Sequence, residues 1–334
     1  VVAAVQKRNG VTKGAQLQVE ALRRQGVDVE LLDATPALRN PFFRIEHDQA
    51  TAYIFHSGGP QIASMLSSVM PQAAQAWRVA YWAWELPSPP RQWPDPKGLV
   101  SEIWTPSEFA HKSLALRFDV PISVVPHAVL PSHSRRQRAP EQPFTVLTMA
   151  DSRSSLQRKN PAGAIRAFAR AFGGTAKARL IVKLSGAASS NDILPGGVGG
   201  DCRVEVIDSY LDDSALAGLY RSADVLLSLH RAEGFGLPML EAMAMGVPVV
   251  ATGWSGNLDF MSSQNAMLVP AREVPVEDDA VYFRYGHAVW AEPDEAAAAA
   301  ALRRLYEDAG FYSTISEAAY AAAVQFARDW RLPQ

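Results

Sequence analysis

A chain of 334 residues exceeds what one hydrophobic core ordinarily serves, roughly 250–300 residues, and points to two domains. Its 48% apolar and 20% charged residues are globular proportions that exclude a disordered, fibrous or collagenous chain, and a net charge of −2 argues against bulk nucleic-acid binding. No run approaches the roughly 18 uninterrupted apolar residues of a membrane-spanning helix, and no basic start leads into a short apolar stretch.

The lone cysteine, Cys202, can form no intrachain disulfide and no cysteine-built metal site, so a reducing compartment, by default the cytoplasm, is expected. The numbering opens on Val1, so a targeting segment upstream would lie outside the sequence. Residues 1–143 hold 15 basic and 12 acidic residues, and residues 144–334 hold 17 and 22. The slightly basic first half is compatible with peripheral contact with an acidic membrane face, though a difference this small is more often incidental.

In chain order, Val1–Val5 reads as a strand, Gln6–Gly14 as a loop, Ala15–Gln25 as a helix and Val27–Leu32 as a second strand. Strand, glycine loop and helix in that order open a doubly wound α/β domain. Ala52–Phe55 reads as a strand, Gln61–Val69 as a helix, and Val79–Trp84 and Glu102–Thr105 as strands. Ser107 caps a helix beginning near Glu108. Pro126–Pro143 loses periodicity and has linker composition.

A second alternating series follows: strand Phe144–Met149, helix Ala162–Phe172, strands Arg179–Leu184 and Val204–Ile207, helix Asp213–Arg221, strand Val225–Leu229, helix Pro238–Met245, strand Val247–Ala251. The glycine-rich stretch Gly196–Gly200 reads as a surface loop. The alanine-rich Glu295–Asp308 and Ser316–Trp330 read as closing helices. The expected organisation is therefore a domain over 1–135, a domain over 136–315, and a terminal helical segment, 316–334, that packs back on the first.

The strongest chemical signal lies at Ser228–Glu241, SLHRAEGFGLPMLE: a strand ending in a glycine loop, with Pro238 opening a helix. The backbone N–H groups of Phe235, Gly236 and Leu237 then face outward at a positive helix end, which suits an anion. Glu233 before the loop and Glu241 inside the helix are placed to accept from ligand hydroxyls on either side of a phosphate. Taken alone, a Gly-x-Gly after a strand is also an ordinary turn.

The whole phrase resembles the glutamate-x7-glutamate motif of the retaining glycosyltransferases of family 4, the group 1 glycosyltransferases, whose GT-B fold sets two Rossmann-like domains across a cleft. Trp82–Pro87 with Trp93, Glu102–Phe109, Val125–Val129, Arg158–Pro161 and Trp254–Met261 agree with that resemblance in order, over most of residues 50–261. It implies that Glu233 holds donor sugar hydroxyls, that Glu241 holds the ribose, and that Phe235, Gly236 and Leu237 supply backbone contacts. It also implies an arginine and a lysine six apart on the diphosphate. Lys159 matches the lysine; Arg153 sits six before it, and Arg158 competes for the arginine role. Such a pair replaces a metal as charge grows on the leaving group.

Ser209–Leu211 resembles the loop beneath the base, with Tyr210 either stacked on it or structural. His56 ends a strand at a crevice-facing position, as a ligand contact or as a structural histidine. Where the family carries a histidine after the next strand, this chain has Ala83-Trp84-Glu85. Glu85, held among tryptophans, either has a raised pKa and acts on the acceptor hydroxyl or is a paired structural acid. Trp77, Trp82, Trp84 and Trp93 fall within seventeen residues. Trp82 and Trp84 either shape an acceptor groove or pack a core, and the first loop, with Asn9, Gly10, Lys13 and Gly14, is read as lining the acceptor side.

The resulting expectation is a metal-independent, cofactor-free retaining hexosyltransferase. It takes GDP-mannose or a UDP-sugar to a glycan, lipid-linked or small-molecule hydroxyl, in surface polysaccharide or glycoconjugate synthesis. A nucleotide-sugar epimerase on the same fold and a catalytically inactive nucleotide-sugar-binding module are the rival readings; the intact Glu233, Lys159 and Glu241 speak against the second.

Overall fold

The computed structural model describes every residue except 8, 132–134, 136–137, 139–140, 175–176, 187–202, 279–287 and 334. Cys202 and the Gly196–Gly200 stretch lie outside the described residues. The chain forms two compact units, Val1–Ala128 with Trp330–Gln334, and Val129–Asp329.

In the first unit the elements are β1 (Val2–Ala3), α1 (Gly10–Arg24), β2 (Leu32–Asp33), β3 (Ala52–His56), α2 (Ile62–Ser68), β4 (Trp77–Tyr81), β5 (Glu102–Thr105), α3 (Glu108–Ala115) and β6 (Ile122–Val124). The strands make one parallel sheet in the order β2-β1-β3-β4-β5-β6. The order reverses between β1 and β3, and the crevice outside their carboxyl ends is where open α/β sheets take ligands. Leu22, Ile54, Val79, Tyr81, Trp104 and Val125 form a core cluster against which Trp330 and Leu332 pack. The Trp330 indole donates to the Pro126 carbonyl at 2.7 Å, which fixes the last residues to this unit.

Helix α1 starts five residues earlier than its sequence suggests. Asn9 caps it, its Oδ1 accepting from the Thr12 amide at 3.1 Å, so Gly10–Gly14, read as the end of a loop, are its first residues. Gly14 is therefore a buried helical residue, and a Cβ there would run into the His127 ring. Strand β4 stops at Tyr81, so Trp82 and Trp84 stand in the segment after it.

The second unit comprises β7 (Phe144–Asp151), α4 (Leu156–Lys159), α5 (Pro161–Phe172), β8 (Ala178–Ser185), β9 (Val204–Asp208), α6 (Asp213–Ser222), β10 (Val225–Ser228), α7 (Leu237–Met243), β11 (Val249–Thr252) and β12 (Met267–Val269). An antiparallel hairpin of β13 (Ala271–Pro275) and β14 (Val289–Pro293) follows, then α8 (Glu295–Glu307) and α9 (Ala309–Asp329). The parallel sheet runs β12-β11-β10-β7-β8-β9, the strand order of dinucleotide-binding domains. Its inner strands β7, β8, β10 and β11 are largely buried on both faces, as a sheet covered on both sides requires, whereas the edge strand β9 is not. Helix α5 packs Phe168 and Phe172 with Phe144 and Tyr306.

Here the order reverses between β7 and β10. The segments leaving those two strands, 152–160 and 229–236, carry the basic and acidic residues singled out in the sequence. The α/β class with two Rossmann-like domains is thus the observed one.

Candidate active site

At the β7/β10 switch point Glu233 is buried and faces two cations. Lys159 Nζ donates to its Oε1, and Arg158 Nη1 lies 3.4 Å from Oε2. Burial pushes the Glu233 carboxyl up, but the Lys159 ammonium and the Arg158 guanidinium prevail and hold it at about 2. Arg158 is itself fixed, donating to the Ala232 carbonyl and to Ser154 Oγ, each at 2.7 Å. Arg153 stands apart from this cluster: its guanidinium forks onto both oxygens of Asp151, and its side chain is 47% exposed.

The loop after β10 is held from several sides. The Glu233 amide donates to Ser255 Oγ at 2.9 Å, and the Gly256 amide donates to the Glu233 carbonyl at 3.0 Å. Ser255 has φ +77° and ψ −151°, a conformation otherwise confined to glycine, and Gly236 has φ +99°. Strained backbone of this kind persists only where its surroundings over-determine it. His230 supplies part of that hold, its Nε2 meeting Asn257 Oδ1 at 3.1 Å and the Trp254 carbonyl at 3.2 Å, with Ser228 Oγ 3.1 Å from Nδ1. Burial lowers the His230 pKa and favours the neutral ring.

Phe235 is buried against Phe260 and Phe326, so only its backbone is available to a ligand. Leu237 opens α7, and Glu241, one turn further on, is half-buried and accepts from Tyr220 Oη at 2.8 Å. Tyr210, between β9 and α6, is 62% exposed.

In the first unit, His56 sits at the β1/β3 switch point, fully buried, with Nε2 bonded to Gln18 of α1. Its ring stacks on Tyr81 at 4.3 Å between centroids, and Tyr81 Oη donates to the Val125 carbonyl at 2.7 Å and lies 3.3 Å from His127 Nδ1. Burial lowers His56 well below its usual value, helped by His127, and brings His127 to about 4. His56 Nδ1, Gln18 Nε2 and Ser57 Oγ are buried polar atoms without a hydrogen-bond partner among the described residues. Trp82 and Trp84 are buried and pack edge-on against Trp93, at 5.4 and 5.0 Å, so their ring faces are covered by protein. Glu85, next to them, is half-buried.

Among the described residues no group of three or more His, Cys, Asp or Glu could hold a metal ion, and no helix is long and apolar enough to cross a membrane.

Residues 154–308 match the family model described as glycosyl transferases, group 1. The matched stretch lies in the second unit and takes in Arg158, Lys159, Glu233 and Glu241. No curated protein matches the chain. Among solved structures, the chain is similar to the pneumococcal O-GlcNAc transferase GtfA in complex with UDP and GlcNAc, at 16% identity and a TM-score of 0.60 over 83% of this chain and 54% of that one. It is similar to S. aureus TarM, a G117R mutant in complex with Fondaparinux, alpha-GlcNAc-glycerol and UDP, at 12% identity and a TM-score of 0.61 over 84% and 52%. Anabaena Alr3699/HepE in complex with UDP matches at 14% identity and a TM-score of 0.62 over 97% and 94%. The chain thus spans about half the length of the first two and nearly all of the third. These likenesses show the fold: two Rossmann-like domains of the GT-B kind.

Sequence reasoning passed over His230, Ser255, Asn257 and Tyr220. A signal existed for the last: Tyr220 falls on the apolar face of its helix, and a buried tyrosine must find a partner for its hydroxyl.

Proposed function

We propose that the protein is a nucleotide-sugar glycosyltransferase that moves a sugar from a nucleoside diphosphate to a hydroxyl acceptor with retention at the anomeric carbon. The observation that carries this reading is Glu233: a buried, ionised carboxylate between Lys159 and Arg158 at the switch point of a dinucleotide-type sheet. An anionic oxygen in that position accepts from sugar hydroxyls. Lys159, beside Glu233, and the exposed Arg153 hold the diphosphate, while Arg158, committed to Ala232, Ser154 and Glu233, keeps the acid in place. As the bond from the anomeric carbon to the diphosphate breaks, its electron pair passes to the phosphate oxygen, where these cations stabilise it. The acceptor oxygen bonds to the same face, and its proton goes to the departing phosphate. Neither a metal nor a cofactor is needed in this scheme.

Glu241 takes the ribose and Tyr210 the base. The UDP in the similar structures favours a uridine-diphosphate sugar as the first donor to try. The first unit contributes the acceptor side, with His56 at its switch point and Glu85 in the loop after β4. The product belongs to glycan or glycoconjugate synthesis.

Incubation with a panel of nucleotide sugars is expected to release nucleoside diphosphate from one of them, and Glu233→Ala is expected to abolish that release. The reading is wrong if no donor stabilises or is turned over by the protein, or if Glu233→Ala releases product at the wild-type rate. Binding without turnover would favour the inactive module. Thermal shift detects binding independently, since a ligand present at about 100 times its Kd stabilises by about 2.7 kcal/mol.

A further inference from the structure

Glu241 of the proposed donor site meets a buried tyrosine on a different helix. Tyr220 is 1% exposed, and its hydroxyl donates to Glu241 Oε2 at 2.8 Å. A phenol has a single proton to give, whereas a carboxylate has two oxygens with room for about four donors. The bond therefore uses the whole donor capacity of Tyr220 and only part of the acceptor capacity of Glu241. Unlike Glu233, Glu241 is half-buried.

We propose that Tyr220 is a positioning residue for the nucleoside: by holding Oε2 it fixes the Glu241 side chain so that Oε1 is presented to the ribose hydroxyls of the bound donor. This rests on the donor-site reading above and adds to it the group that orients the ribose contact. Burial first, and the neighbouring Glu241 charge second, push the Tyr220 phenol well above its ordinary value, so the donor proton is retained at any pH used in an assay. The arrangement also ties two nucleoside-facing elements together. Helix α6 is capped by Asp212, whose Oδ1 accepts from the Ala215 amide at 2.8 Å, and it begins three residues after the exposed Tyr210. Leu219 and Tyr220 are the buried residues of α6, and the Tyr220–Glu241 bond joins α6 to α7.

The test is equilibrium binding of UDP, GDP and ADP to the full chain, followed by comparison of whichever binds with its 2′,3′-dideoxy counterpart. Since a hydrogen bond to a charged group is worth about 1.5–3 kcal/mol, wild type is expected to prefer the ribonucleotide by about tenfold or more. Tyr220→Phe is expected to reduce that preference about fivefold while leaving dideoxynucleotide affinity unchanged, because an oriented carboxylate loses part of its hold and not its charge. Glu241→Ala is expected to remove the preference, and the double variant to behave like Glu241→Ala alone.

A merely structural Tyr220 would weaken both nucleotides equally, and that result overturns the proposal. So does a wild-type preference in Tyr220→Phe. If no nucleoside diphosphate binds wild type, the donor reading fails and the proposal falls with it. Should Tyr220→Phe not fold, judged by near-ultraviolet circular dichroism, Tyr220→Met makes the same comparison.

Discussion

Glu233 and His127 show how single protonation states are written into each unit. Burial raises the Glu233 carboxyl, yet Lys159 and Arg158 bring it to about 2 from 4.5. A depressed acid contributes stability that is complete above pH 4.5 and is lost as pH falls through 2, on the order of 3 kcal/mol. His127 is lowered from 6.5 to about 4 by burial alone, so the fold holds it neutral beneath Gly14 and beside Tyr81. That stability is complete above pH 6.5 and is lost as pH falls through 4, because the unfolded chain takes up the proton first. Urea unfolding at pH 7.5 and pH 5 checks this. His127→Asn is expected to lose less stability over the interval than wild type, by on the order of 1–3 kcal/mol. An identical pH slope in the two proteins would show that His127 does not carry the effect.

At the scale of elements, what the sequence disclosed follows from how local each signal is. The β10–loop–α7 segment was legible because an apolar run, a glycine loop and a helix-opening proline lie in one stretch of chain. Ser107 likewise announced α3, and its Oγ accepts from the Ala110 amide at 3.1 Å. The start of α1 was misplaced because Gly10 and Gly14 read as loop residues, whereas Asn9, a good cap, had already begun the helix. Strand β6 and the β13–β14 hairpin went unseen: their burial is incomplete, so their apolar pattern is faint. Pairings across the fold were out of reach altogether, among them Arg158 with the Ala232 carbonyl and Tyr220 with Glu241.

The loop leaving β11 shows how tightly such pairings bind. Gly256 lies against the Gly234 carbonyl, where a Cβ would collide with backbone that cannot rotate away. Gly256→Ala is expected to cost about 1–3 kcal/mol in thermal or urea unfolding and to weaken donor binding with it, since Glu233 and Gly256 share a hydrogen bond. Full stability with full donor affinity would mean that the loop has slack the geometry does not show.

On the scale of the whole molecule, the chain distributes its chemistry unequally. The second unit holds the family match and the acid-and-cation site; the first holds a neutral histidine pair and most of the tryptophan, and reclaims the last residues through Trp330. Of eight tryptophans, six belong to the first unit and two, Trp254 and Trp290, to the second. Trp254 adjoins Ser255 and passes its carbonyl to His230, so it borders the site, whereas Trp290 lies buried in β14. Nature has thereby left one indole as an optical reporter of the donor loop. Donor addition is expected to change the intrinsic emission, and Trp254→Phe to remove that change while thermal shift still registers binding. A donor-dependent signal that survives in Trp254→Phe would place the responding indole elsewhere, with Trp290 the other tryptophan of the second unit.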